Sequence, residues 1–306
     1  FKTEMGSGFD FDTTITQEND TPDGFQKSLK VTPDSTQSVS ASDNAGIYTL
    51  LEGQNLQDFK SGTSGAKKIV YSFFAKSGSS NNGHQYSVFL RLRNGSNFYK
   101  QVRAFTVTSS WQRFSFAFDL DTSTNQIGTA STDACYFGCF LVCGPDDLIA
   151  ETTSWVGTSS TFLGATGQSN FMDNTSNEFF ITGVQLEISD SGVASEFEHR
   201  SFGQELELCQ RYYYKTFPYD TAPARNLGNT DSVFLAVVSG YNGGFHFKQA
   251  MRASPTMTFF NPSADNGSQT SIGGGCNNRS TDNMISVEVG NVAGNHYTQF
   301  VAEAEL

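Results

Sequence analysis

Alternation of apolar and polar residues dominates the chain between residues 69 and 188. In QYSVFLRLR the even-numbered positions from Tyr86 to Leu92 are apolar, and in WQRFSFAF the same holds for Phe114, Phe116 and Phe118. A period of two predicts strands that turn one face to a core and the other to water. Strand composition recurs in IVYSFFAKS, QYSVFLRLR, YKQVRAFTV, WQRFSFAF, ACYFGCFLVC and EFFITGVQLEI.

Glycine and asparagine fill the breaks between these segments, as in KSGSSNNGH, RNGSNF and DTSTNQIG. Such residues supply the positive φ angles of tight turns. Many short strands with tight turns are typical of antiparallel sandwiches, so we predict an all-β fold with a jelly-roll β-sandwich. Three longer irregular tracts, at about 32–46, 120–133 and 144–178, are predicted to be surface loops.

Three of the five cysteines, Cys135, Cys139 and Cys143, repeat every four residues in ACYFGCFLVC. A zinc ribbon needs two-residue gaps and a second pair, which this segment lacks. In a strand the three thiols would share a face with Phe137 and Leu141. The opposite face would carry Tyr136, Phe140 and Val142. We therefore predict a strand buried on both faces, in which the cysteines act as small hydrophobes.

A short connecting helix is predicted at 201–216. Ser201 and Gln204 have the spacing of a capping box. Apolar residues then follow at helical intervals, namely Phe202, Leu206, Cys209 and Tyr213. After residue 216 short strand-like segments return, including SVFLAVV, GFHFKQAM, TMTFF, MISVEV and HYTQFVAEAEL. The organisation predicted is a sandwich at 1–200, the helix, and a smaller β domain at 217–306.

The formal net charge of -12, with 19 lysines and arginines, excludes the clustered basic face that nucleic-acid binding requires. No run approaches the roughly 18 apolar residues of a spanning helix, so we predict no membrane insertion. The segment FKTEMGSGFDFD also lacks the pattern of a signal peptide.

Common catalytic patterns are missing from the sequence. The four histidines form no i,i+4 pair, and neither a G-x-S-x-G elbow nor a phosphate loop is present. Titratable residues near 196–200 could supply a general acid and base. We prefer a structural joint, formed by Glu198, His199, Arg200, Ser201 and Gln204. Loop carboxylates could also support glycoside cleavage, although proximity in sequence does not establish the required geometry.

Two weaker site hypotheses concern loops and aromatic residues. Asp119, Asp121, Ser123 and Asn125 alternate as in an oxygen-rich calcium loop, but the glycine and bidentate glutamate of the EF-hand are absent. A hairpin with side-chain-to-backbone turns explains them equally well. No other cofactor is predicted. For glycan binding the aromatic candidates are Trp155, Tyr48 and Tyr99, any of which could instead anchor a core.

Several segments together resemble a family of bacteriophage virion proteins, the tail-fibre-like or appendage proteins with a carbohydrate-binding-module-like jelly roll. They are LLEGQNLQDF at 50–59, KKIVYSFFAKS at 67–77, ITGVQLEI at 181–188, FEHRSFGQELELCQRYYYK at 197–215 and MRASPTMTFF at 251–260. The resemblance implies a non-enzymatic structural protein of the virion surface, extracellular and homotrimeric. It also implies a strand upstream of residue 1.

A protein of this family would contact other virion proteins and, as a tail fibre or appendage, the polysaccharide of the host surface. Two alternatives remain open. One is a capsid-decorating or spacer protein that binds no glycan, and the other is a glycan depolymerase.

Overall fold

The computed structural model describes residues 2–4, 9–130, 133–157, 161, 163–218, 220–224, 233–237, 242–260, 268–269, 276–282, 284–289 and 294–304. It confirms the all-β prediction, with one short α-helix among these residues. The chain divides into two compact units, Phe1–Glu198 and His199–Leu306. The division lies two residues before the boundary placed at residue 200 from the sequence.

Two five-stranded antiparallel sheets form the first unit. Its strands are β1 (Lys2–Glu4), β2 (Thr13–Glu18), β3 (Ser28–Pro33), β4 (Asn44–Glu52), β5 (Lys68–Ser77), β6 (Gln85–Asn94), β7 (Asn97–Thr106), β8 (Gln112–Asp119), β9 (Asp133–Cys143), β10 (Leu148–Ile149), β11 (Gly164–Ala165) and β12 (Phe179–Ile188). Sheet A has the order β1-β4-β9-β6-β7 and sheet B the order β2-β3-β12-β5-β8. Strands β10 and β11 form a small parallel pair in the long loop. A seven-residue 3-10 helix lies at Gly53–Phe59, and single 3-10 turns lie at Pro145–Asp147 and Phe171–Asp173.

The core of the sandwich lies between the two sheets and follows the predicted alternation on its inward face, but the predicted water-facing side is wrong for β6, because Ser87, Phe89 and Arg91 are buried too. The even-numbered residues of β6, from Tyr86 to Leu92, are all fully buried. Phe118 of β8 is buried too, while Phe114 and Phe116 are half-buried against the same core. Aromatic rings meet across the sheets, with the centroids of Phe73 and Phe105 5.4 Å apart. These contacts explain why the sequence forms a sandwich.

The cysteine strand β9 matches the prediction only in part. Cys135 and Cys139 lie in the core, and burial raises the pKa of both thiols, so they remain protonated and apolar. The predicted parity is wrong at the end of the strand, because Val142 joins the core cluster and Cys143 lies outside it. The physical reason is a bulge, seen as a register shift between Ala45 and Gly46 of β4.

The second unit begins with helix α1 (Phe202–Gln210), which is shorter than the predicted 201–216. The capping box at its start is present, since Ser201 and Gln204 bond each other's backbone reciprocally. The predicted apolar stripe is largely exposed, with Phe202 73% exposed. Among the residues that the structure describes, no helix has the length and apolar composition needed to cross a membrane.

Short strands make up the rest of this unit. They are β13 (Tyr213–Lys215), β14 (Val233–Val237), β15 (Asn242–His246), β16 (Thr256–Phe260), β17 (Ser268–Gln269), β18 (Cys276–Ser280), β19 (Met284–Val289) and β20 (Gly294–Glu303). Strand β20 is central, because β13, β14 and β16 all pair with it. Tyr214, Phe247 and Phe300 belong to a separate aromatic core.

Replacement of Gly138 by alanine tests how closely β4 and β9 approach. The added Cβ would lie 2.2 Å from the Ile47 carbonyl oxygen and 2.6 Å from the Tyr48 Cα, both rigid backbone atoms. We expect Gly138→Ala to lower the free energy of unfolding by about 1–3 kcal/mol. Urea unfolding, followed by tryptophan fluorescence, measures this free energy.

Gly128→Ala is the matched control, because its Cβ would have no neighbour closer than 3.6 Å. A change within about 0.5 kcal/mol is expected there. Equal unfolding midpoints for the two variants would contradict the close packing of β4 against β9.

Candidate functional site

The face of sheet A that points away from the core carries a row of side chains across four strands. The register pairs Leu50 of β4 with Tyr136 of β9, Tyr136 with Arg91 of β6, and Arg91 with Lys100 of β7. Neighbouring strands lie about 4.8 Å apart, so this outer row spans about 15 Å.

A second layer of aromatic residues lies beside the outer row. Phe89 and Phe140 stack with their ring centroids 4.3 Å apart, and Tyr48 stacks on Tyr136 at 6.5 Å. Tyr48, Phe89 and Phe140 are almost fully buried, so they support the row and contribute little surface of their own.

Arg91 lies between two aromatic rings of this face. Its guanidinium carbon is 4.1 Å from the ring centroid of Phe98 and 4.7 Å from that of Tyr136. Cation–π contacts of this kind hold the planar group in a fixed orientation. Phe98, Tyr136 and Leu50 are half-buried, so part of each side chain reaches solvent. Arg91 itself is only 5% exposed, so the result is a small apolar surface beside a guanidinium group that is largely covered.

The β7 side of the outer row is closed by residues 152–157 and Thr161. Backbone hydrogen bonds join Val156 to Lys100 in both directions, at 2.9 and 3.2 Å, and the Thr152 amide donates to Val102. The Lys100 ammonium donates to the Thr161 carbonyl at 2.8 Å. Lys100 is only 4% exposed, and burial, with a further contribution from Arg91, lowers its pKa to about 8. The open part of the row is therefore its β4 and β9 side.

Of the three predicted glycan-binding residues, the structure brings only Tyr48 to this face. Tyr99 pairs with Leu92 on the opposite face and packs against the core. Trp155 also packs against the core, and its indole nitrogen donates to the Asp119 carbonyl at 2.8 Å. Both residues occupy anchoring positions.

Sequence reasoning did not select Leu50, Arg91, Phe98 or Tyr136 as binding residues. A signal for two of them existed. Arg91 occupies an odd position of QYSVFLRLR, where the even positions face the core, and Tyr136 was predicted on the face opposite Cys135. The missing information was which outward faces lie side by side.

The residues of the predicted calcium loop mostly bond their own chain. The Asp121 carboxylate accepts hydrogen bonds from the Ser123 amide, the Ser123 hydroxyl and the Thr124 amide, at 2.7 to 2.8 Å. The backbone donors at Ser123 and Thr124 lower the pKa of Asp121. Asp119 pairs with Lys68 at 3.3 Å, and the Asn125 side chain accepts from the Ile127 amide. Calcium binding here stays a prediction.

The predicted joint residues make local contacts. The Glu198 amide donates to the Gln185 side chain at 2.9 Å, and Arg200 pairs with Glu205 at 3.2 Å. His199 is exposed. Beside helix α1 there is an open cavity of about 420 Å³, lined by Arg200, Gln204, Glu207, Leu208, Arg211 and Gln249.

The lowered pKa of Lys100 predicts a dependence of stability on pH. The unfolded chain binds this proton up to its ordinary pKa of 10.5, whereas the folded chain releases it near pH 8. Stability therefore rises with pH between about 8 and 10.5. We expect the unfolding free energy of the parent to increase over this range relative to Lys100→Met. A difference that stays constant from pH 7 to 10 would contradict burial of the amine.

The calcium hypothesis is tested by thermal unfolding. If the loop binds the ion, millimolar calcium raises the melting temperature of the parent and leaves that of Asp121→Asn unchanged, because bound ligand stabilises the folded state. The exposed Asp190→Asn variant is the control. Melting temperatures that are equal with calcium and with chelator remove the hypothesis.

Comparison with known proteins gives low structural similarities. No protein-family model matches the sequence, and no curated protein matches it. The xylan-binding CBM22-1 domain of Xyn10C from Paenibacillus barcinonensis is 10% identical, with a TM-score of 0.31, over 60% of this chain and 83% of that one. The family 11 carbohydrate-binding module of the cellulosomal cellulase Lic26A-Cel5E from Clostridium thermocellum is 13% identical, with a TM-score of 0.31, over 58% and 82%.

A CBM4 structure is 12% identical, with a TM-score of 0.31, over 61% of this chain and 85% of that one. These scores are low, and neither the fold described above nor the function proposed below rests on them.

Proposed function

We propose that this chain is a non-enzymatic glycan-binding protein whose ligand lies along the open side of the outer row. The observation that supports this is the arrangement of Arg91 between the half-buried rings of Phe98 and Tyr136, on the solvent side of sheet A.

The chemistry of the row suits a sugar chain. Sugar rings have apolar C–H faces that pack on aromatic and aliphatic side chains, here Tyr136 and Leu50. Arg91, which is only 5% exposed, positions the rings of Phe98 and Tyr136 for this contact. Leu50 and Tyr136 lie on neighbouring strands and form the open part of the row, where a sugar of a polysaccharide can pack.

The biological setting is a virion surface. Support comes from the sequence resemblance to tail-fibre-like and appendage proteins, carried above all by residues 181–188 and 197–215. In this setting the chain is extracellular and homotrimeric, contacts other virion proteins, and recognises a polysaccharide of the bacterial host.

A purely structural role is the second candidate. Tyr48 and Phe140, at the centre of the outward aromatic cluster, are 9% and 0% exposed. Rings that are already covered stabilise the sheet and offer little surface to a ligand. A capsid-decorating or spacer protein would need no more than this.

Binding to a panel of bacterial surface polysaccharides tests the proposal, using Tyr136→Leu and its matched control Tyr99→Leu. Both tyrosines are half-buried in sheet A, but they lie on opposite faces. We expect Tyr136→Leu to weaken binding by about tenfold or more, equivalent to about 1.4 kcal/mol. Tyr99→Leu and Trp155→Phe should bind like the parent.

The other outcomes distinguish the alternatives. If no polysaccharide of the panel binds and the chain associates tightly with other virion proteins, the spacer role is supported. Reducing ends that accumulate with time support a depolymerase. Equal loss of binding in Tyr136→Leu and Tyr99→Leu would place the site elsewhere.

A further inference from the structure

Residues 189–198, which follow β12 and end the first unit, lie against the outward face of sheet B. We call this segment the strap. The Ser189 amide at its start donates to the Lys68 carbonyl of β5 at 3.0 Å. Near its end, the ring of Phe197 lies 5.1 Å from Phe25, which in turn lies 5.3 Å from Phe74 of β5. The strap is thus in contact with the sheet at both ends.

Two side chains of β12 hold the last four residues of the strap, 195–198. The Glu187 carboxylate accepts from the Ser195 amide at 2.9 Å and from the Ser195 hydroxyl at 2.6 Å. The side-chain oxygen Oε1 of Gln185 accepts a hydrogen bond from the Glu198 backbone amide at 2.9 Å. Arg113 of β8 adds a hydrogen bond to the Ser195 carbonyl. Backbone donors and acceptors of the strap are therefore satisfied by side chains of the sheet.

A bulge in β12 allows these hydrogen bonds to form. The register of β12 on β5 shifts between Thr182 and Gln185, and Gly183 has a φ of 59°, a conformation that favours glycine. After the bulge Leu186 packs on the core, so Gln185 and Glu187 point outward. An added Cβ at Gly183 would lie 2.6 Å from the Phe25 ring.

We infer that the strap can open separately from the sandwich and that a latch holds it closed. In the latch, Gln185 and Glu187 of ITGVQLEI bond residues 195–198 and keep them against sheet B. The latch joins two of the five segments that carry the resemblance, 181–188 and 197–215, through the bond from the Glu198 amide to Gln185. Glu198 is the last residue that it holds, three residues before the Ser201 cap. The inference is independent of glycan binding, because it concerns the opposite sheet.

Hydrogen exchange of the full chain tests the latch at individual amides. In the parent, the Ser195 and Glu198 amides should exchange slowly, because each has a defined acceptor. Glu187→Ala should accelerate the Ser195 amide at least tenfold, and Gln185→Ala should do the same for Glu198. Asp190→Asn is the control, since the carboxylate of this exposed strap residue pairs with Lys67 of sheet B's neighbouring loop at 3.4 Å and bonds neither Ser195 nor Glu198.

The amides of Phe179–Thr182, paired with β5, report whether the sandwich stays folded. Their protection should persist in both variants. Unprotected strap amides in the parent, or strap exchange unchanged in both variants, would overturn the inference. So would a loss of protection throughout sheet B in both variants, because the strap would then not open separately.

Discussion

The shared core of the two sheets is the constraint on which the rest of the sandwich depends. Each long strand must present its apolar residues to that core, and the rings of Tyr86, Phe73 and Phe105 show how closely the two layers meet. Once the inward parity of a strand is set, every intervening residue points outward. Both the outer row and the latch of the strap consist of such intervening residues.

Bulges modify this rule at two places, and both have consequences. The bulge opposite Ala45 brings Val142 into the core and removes Cys143 from it. The bulge at Gly183 keeps Leu186 in the core while turning Gln185 and Glu187 outward. An extra residue in one strand changes the face of every residue that follows it.

The outer row also has a particular electrostatic character. Arg91 and Lys100 lie directly opposite each other in a chain whose net charge is -12. Like charges opposite each other destabilise a sheet, and the lowered pKa of Lys100 reflects this repulsion in addition to burial. Aromatic contacts to Arg91 and the closing segment at Thr161 offset part of that cost.

Much of the fold could be read from local pattern, because alternation, turn residues and a capping box act over a few residues. The strands β5 to β9 and β12, the helix start at Ser201 and the buried cysteines Cys135 and Cys139 follow from such patterns, whereas β1 to β4 were not predicted and β4 begins in a tract predicted as a loop. The candidate site could not be read in this way, since Leu50, Tyr136 and Arg91 come from three strands that are not consecutive. The sequence by itself determined which residues share a face within each predicted strand, up to the point of a bulge. Only the tertiary structure decided which of them are neighbours, because strand order and bulges depend on pairing between distant segments.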